Sequence, residues 1–162
     1  MPLVLPLVLG VLAAALALLG ELVFFSFSLP ATQAGVLVLG GSFRTLLVLA
    51  IIEESVKLGL LYRGSALAAL ARRPFGAALL FGFLFGLGFA AIEAILLSKF
   101  SGLLHLGVLG IFGVHAVTSM LLAGAIRKEA PSLAHKSVMV AGALVIATLL
   151  HALYNLLISH FS

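Results

Sequence analysis

No cysteine and no tryptophan occur in this 162-residue chain, and only 9% of its residues are charged. Without cysteine there are no disulfides, thiolate metal sites or cysteine nucleophiles, so any catalysis falls to Glu, His, Ser, Thr, Asn, Lys or Tyr. The scarcity of charge removes the polar surface that a soluble fold of this size must present to water. What fills the chain is apolar: 64% hydrophobic residues and a mean hydropathy of +1.35 describe an integral membrane protein. No basic region precedes the first apolar stretch, which opens Met1-Pro2-Leu3-Val4 and runs to about Ser28, so it reads as a retained span and not a cleaved signal peptide. Soluble domains, internal repeats and low-complexity linkers are lacking as well, and a single integral membrane domain over residues 1–162 is expected.

A spanning helix needs about 20 apolar residues, and five candidates fill nearly the whole chain. They are about Pro2–Ser28, a second ending near Tyr62, a third from Pro74 or Phe75 to about Ser98, Leu103–Ile126, and Ser137–Ser159. The second begins near Ala34 or, after the Gly40-Gly41-Ser42 break, near Arg44. The fold class that follows is all-α, a polytopic transmembrane helix bundle of about five spanning helices, in a multi-pass protein of the cell membrane. The net charge of +4 would suggest nucleic acid in a soluble protein. Here the basic residues sit at the ends of apolar runs, so lipid is the expected partner and nucleic acid is not. Arg63, Arg72 and Arg73 follow the second span and Arg127, Lys128 and Lys136 the fourth, against Lys99 and Arg44 on the alternate side; the positive-inside bias puts the N-terminus in the cytoplasm. Between Arg63 and Pro74, a short interfacial helix and a plain connector are equally compatible with the sequence.

Inside the spans lie Glu21, Glu53, Glu54, Lys57, Glu93, His115, His151 and Asn155. Each charged group at mid-membrane costs roughly 2.5–3.5 kcal/mol, so several are tolerable together only if they meet. Lys57 follows Glu53 by four residues and Glu54 by three, so either carboxylate can pair with it along one helix face. Adjacent glutamates point about 100° apart, which leaves the other free for a water, a metal or a substrate carbonyl. Gly82, Gly86 and Ala90 recur every four residues and Glu93 follows three later, so a small-residue strip and a carboxylate share a face, and close helix approach along it presses Glu93 against a neighbour. His151 and Asn155, four apart, share a face of the last span. Helix rise of about 1.5 Å per residue places Glu53, Glu54, Glu93, His115 and His151 at similar depth, in the middle to outer part of the membrane. Glu21, His105, His135 and His160 lie nearer span ends or loops and read as interfacial; Tyr154 reads as packing.

The series Glu53-Glu54-x-x-Lys57, Phe89-x-x-x-Glu93, His115 and His151-x-x-x-Asn155 resembles the PrsW family of intramembrane proteases and, more distantly, the CAAX-prenyl protease and bacteriocin-processing superfamily. That superfamily uses EExxxR and FxxxH, so Lys57 and Glu93 side with the PrsW branch. The resemblance implies a membrane-embedded endopeptidase with its catalytic core at about 44–160, acting on membrane-protein or peptide substrates, in some members to start regulated proteolysis of an anti-sigma factor.

Peptide hydrolysis needs an activated water, an acid for the leaving amine and donors for the oxyanion. Two assignments supply them. In one, Glu53 or Glu54 is the general base, His115 and His151 orient the water or act as acid, and Asn155 donates to the oxyanion. In the other, His115, His151 and Glu93 or Glu54 bind Zn²⁺ and a free glutamate is the base, with Lys57 and Phe89 in support. A rival reading, a proton- or metal-coupled transporter using the same cluster, is disfavoured by the absence of an inverted repeat or paired broken helices.

Overall fold

A computed structural model describes residues 3–28, 42–67, 74–101, 105–127 and 131–161. Five α-helices follow in order: α1 (Val4–Ser28), α2 (Phe43–Leu67), α3 (Phe75–Ser101), α4 (His105–Arg127) and α5 (Leu133–Phe161). The described residues contain no strand. The start of α2 at Phe43 takes the later of the two openings the sequence allowed. Ser42 caps it: the Thr45 amide donates to Ser42 Oγ at 3.4 Å and the Leu46 amide to the Ser42 carbonyl at 3.1 Å, satisfying donors that a helix start leaves unpaired. Ser132 does the same for α5, accepting from the His135 amide at 3.3 Å. The Ala77 amide reaches the Pro74 carbonyl at 2.9 Å to open α3, and Pro6 sits in the first turn of α1, where a missing N–H costs nothing. The stretch after Arg63 begins as the end of α2; residues 68–73 lie outside the described residues.

Four helices, α1, α3, α4 and α5, are long and apolar enough to cross a membrane. The fifth, α2, is as long, with 25 residues, but carries Glu53, Glu54 and Lys57 at its centre, all three buried. It can hold them because it is the hub. It packs against each of the other four helices, while α1, α3, α4 and α5 join in a chain of neighbours around it. Leu22, Phe27, Leu133 and Val138 are each more than 60% exposed. A soluble protein would not leave such faces to water, but lipid solvates them.

Both flanks of α3 are built from glycine. A Cβ on Gly88 would meet the Leu7 backbone of α1 at 3.0 Å, and one on Gly10 the Phe89 amide nitrogen of α3 at 2.9 Å. On the other side, a Cβ on Gly82 would fall 2.9 Å from Met120 Cα, and one on Gly86 2.7 Å from Ala116 Cα and against the His115 carbonyl. Without a hydrophobic drive between helices in lipid, such backbone contact is what holds membrane helices together. The small-residue strip thus presses α3 onto α4 beside His115. The α4–α5 turn is tied by Lys136, whose Nζ donates to the Ala125 carbonyl at 3.0 Å and to that of Ile126, covering carbonyls that the end of α4 leaves free.

Candidate active site

The bundle gathers its ionisable groups at one level. Glu53, Glu93, His115 and His151 lie eight to ten residues from Phe43, Ser101, His105 and Phe161, roughly 12–15 Å along each helix. At that level Glu54 is wholly buried, and its Oε1 accepts three hydrogen bonds: from Lys57 Nζ at 2.7 Å, Thr118 Oγ1 at 3.2 Å and His151 Nδ1 at 2.9 Å. Of the two adjacent glutamates, Glu54 is therefore the one that pairs with Lys57. The buried Lys57 ammonium uses its remaining donors on His115 Nδ1 at 2.6 Å and on the face of Phe89, 4.3 Å from the ring centroid. An ammonium has no other way to be satisfied away from water.

The ring hydrogens follow from these partners. Lysine can only donate, so His115 Nδ1 accepts, and its Nε2–H donates to Glu93 Oε2. Glu54 can only accept, so His151 Nδ1 carries the hydrogen and Nε2 holds a lone pair. That lone pair faces Glu53 Oε2 at 3.8 Å. The distance is too long for a hydrogen bond, and both atoms are buried without a partner among the described residues. Two buried acceptors aimed at one another would repel if nothing stood between them. The rings of His115 and His151 meet edge to face, 4.8 Å apart, and Phe89 lies 4.6 Å from His115. Glu93 is the more open carboxylate, with its side chain 26% exposed.

A model of the PrsW family of intramembrane metalloproteases matches residues 2–162. The chain belongs to that family. No curated protein and no solved structure gives a match. Membership makes the chain an integral membrane protease, and the family's description as metalloproteases raises the question of whether these side chains suit an ion. Glu53, His115 and His151 each offer a ligand atom, and these atoms lie within 4.8 Å of one another. Ligands about 2.0–2.2 Å from a shared ion stand roughly 3–4 Å apart, the separation of the two orphaned atoms. Glu54 behind His151 completes a carboxylate–histidine arrangement of the kind that orients metal ligands. The donor set fits a divalent cation.

Glu53, Glu54, Lys57, Phe89, Glu93, His115 and His151 are thus brought together. Asn155 is not joined to them: it lies partly exposed one turn beyond His151, and no hydrogen bond links it to the cluster among the described residues. Tyr154 turns to α4 instead, donating to the Gly107 carbonyl at 2.7 Å. Three further groups beside the cluster carry no weight in the sequence reading. Thr118 serves Glu54, and Ser119 presents a buried, unpartnered Oγ; they follow His115 by three and four residues, so helical spacing alone could have placed them on its face. Glu21 of α1, taken above as interfacial, approaches Glu53 closely enough for the two carboxyls to interact and also acts on Glu93. It stands seven residues from Ser28, about 10 Å by helical rise, and that arithmetic would have put it just above the other four groups.

Proposed function

We propose that this chain is a metal-dependent intramembrane endopeptidase that cuts membrane-protein or peptide substrates at the level of Glu53 and Glu93. The observation that carries the reading is the facing pair of buried, unpartnered acceptors, Glu53 Oε2 and His151 Nε2, 3.8 Å apart. Glu53 and His151 would hold the ion, with His115 joining them on losing the Nε2 hydrogen it gives to Glu93, zinc being the one best matched to nitrogen and carboxylate donors. When bound, it would act as a Lewis acid on the scissile carbonyl and make a coordinated water more acidic.

The remaining work falls to the chain's own side chains. Glu54 holds His151 by Nδ1, keeping Nε2 unprotonated and fixed in direction. Lys57 offsets the Glu54 charge and pins His115 by Nδ1. Glu93, open on one side, takes the proton from the attacking water and returns it to the leaving amine. Asn155, one turn from His151, is assigned in this reading as the donor to the developing oxyanion. Burial of Glu54, Lys57, His115 and His151 keeps bulk water from the donors while Glu93 faces the substrate side. Release of an anti-sigma factor is one use such an activity would have. Purified Glu53→Gln, Glu93→Gln and His151→Ala proteins are expected to insert and fold yet lose cleavage of a transmembrane substrate by at least about 100-fold. Undiminished cleavage by any of them would remove that residue from the mechanism, and by all three the reading itself.

A further inference from the structure

Thr118 of α4 is wholly buried, yet it bonds outside its own helix. Its Oγ1 stands 3.2 Å from Glu54 Oε1 of α2 and 3.4 Å from the carbonyl of His115, three residues earlier on α4. A helical threonine ordinarily bonds back to a carbonyl of its own helix. A hydroxyl has a single hydrogen, and here the shorter path leads to a carboxylate, the stronger acceptor. Thr118 therefore donates across the bundle, from α4 to α2.

Its backbone is clamped from the far side. Gly86 brings α3 against Ala116 and Gly82 brings it against Met120, where added Cβ atoms would lie 2.7 and 2.9 Å from the respective Cα atoms. These contacts fall two residues before and two after Thr118, about 200° round the helix in each direction. The glycines of α3 thus grip the face of α4 opposite Thr118 and fix how far its hydroxyl reaches towards α2.

The atom it reaches is shared. Lys57 of α2 and His151 of α5 donate to the same Glu54 Oε1, at 2.7 and 2.9 Å, so donors from three helices converge on one oxygen with two lone pairs. Oε2 is buried as well and has no partner among the described residues. The carboxylate is held by one oxygen only, and the last torsion of a glutamate is broad and two-fold. Burial alone does not decide at what angle His151 meets it; the other donors on Oε1 do. Lys57 lies on Glu54's own helix, three residues away, and moves with it. Thr118 is the donor that ties this oxygen to α4.

Resting on the metal-dependent reading, we propose that Thr118 is a positioning residue: its hydroxyl fixes Glu54 Oε1, and through it holds His151 with Nδ1 bonded and Nε2 directed at Glu53 Oε2. Without the hydroxyl the carboxylate turns about its last torsion and the His151 ring follows, so that Nε2 no longer faces Glu53. Thr118 itself touches neither ion nor substrate.

The test compares Thr118→Val, which keeps the shape and removes the hydroxyl, with Thr118→Ser, which keeps the hydroxyl, in the full chain in proteoliposomes; Thr118→Ala is a second hydroxyl-free variant. Zinc affinity against a competing chelator should fall about tenfold in the Val and Ala variants, the low end for loss of support behind a histidine ligand because Lys57 remains, and should stay within about threefold of wild type in Thr118→Ser. Cleavage should lose kcat at unchanged KM. Histidine nitrogen NMR of the ion-free chain, with the His151 resonance assigned by its loss in His151→Ala, should show the Nδ1–H tautomer alone in wild type and Thr118→Ser and a mixture in Thr118→Val. A Thr118→Val protein with wild-type zinc affinity and tautomer overturns the proposal, as does a Thr118→Ser protein as impaired as Thr118→Val, which would assign the effect to packing. Either leaves the metal-dependent reading standing, whereas a wild-type chain that binds no divalent ion overturns both.

Discussion

Removing both charges of the Glu54–Lys57 pair should separate what it does for the fold from what it does for the site. Glu54→Leu alone strips Lys57 of its anion and leaves an ammonium in the bundle interior, and such one-sided loss costs about 3–5 kcal/mol. Both partners sit on α2, three residues apart, so the pair survives when helices separate in lipid. That pulls the expected figure to the low end, because assembly itself loses only the bonds from Glu54 to His151 and Thr118, each about 0.6–1.7 kcal/mol between membrane helices. The double variant Glu54→Leu with Lys57→Met removes the unpaired charge, and replacing a buried ion pair by apolar groups is often neutral. It should resist unfolding better than Glu54→Leu alone, in a detergent titration followed by circular dichroism, while still lacking the bonds to His151 and Thr118 at about 0.6–1.7 kcal/mol each. Its metal affinity should still fall about 10–100-fold, the usual cost of losing the group that orients a histidine ligand. The reasoning is refuted if the double variant binds metal and cleaves as wild type does, because His151 would then need no carboxylate behind it.

Gly86→Val should cost about 1–3 kcal/mol by overpacking and depress cleavage, since the new side chain meets the backbone at His115 and Ala116; Gly113→Ala, with nothing within 4 Å of its Cβ, should be neutral or stabilising in the same melt. Tyr154→Phe loses the bond to the Gly107 carbonyl and should destabilise by about 0.5–1.5 kcal/mol while cleavage survives, which a parallel activity assay checks. Lys136→Met, uncovering the Ala125 and Ile126 carbonyls, should raise hydrogen exchange in the last turn of α4 without altering metal binding.

Hydropathy was enough to read the helices, because lipid demands long apolar segments and admits few other structures. The break at Gly40-Gly41-Ser42 was harder to interpret: both openings of α2 satisfy length, and the cap at Ser42 becomes visible only once its hydroxyl meets the Thr45 amide. Within the site, 3.6-residue spacing left Lys57 a choice of two glutamates. What decides is a residue 97 positions away, His151, whose Nδ1 takes Glu54 Oε1 and leaves Glu53 to face the gap. The expected donor Glu54 now stands behind His151, and Glu53 takes its place in our proposal. Glu21 was read as interfacial because its distance from its own span end suggested solvation. The packing of Gly20 on Ile52, with that of Gly10 on Phe89, brings α1 against the site, and no local pattern announces contacts between such distant segments.

The claim beneath all of this is that Glu53 and His151 close on one ion. Elemental analysis of the purified chain, with a competing chelator to set affinity, addresses it without any substrate. We expect about one divalent ion per wild-type chain, and loss of that ion at matched chelator from Glu53→Gln and from His151→Ala while both stay folded. Full occupancy in either variant would contradict the account.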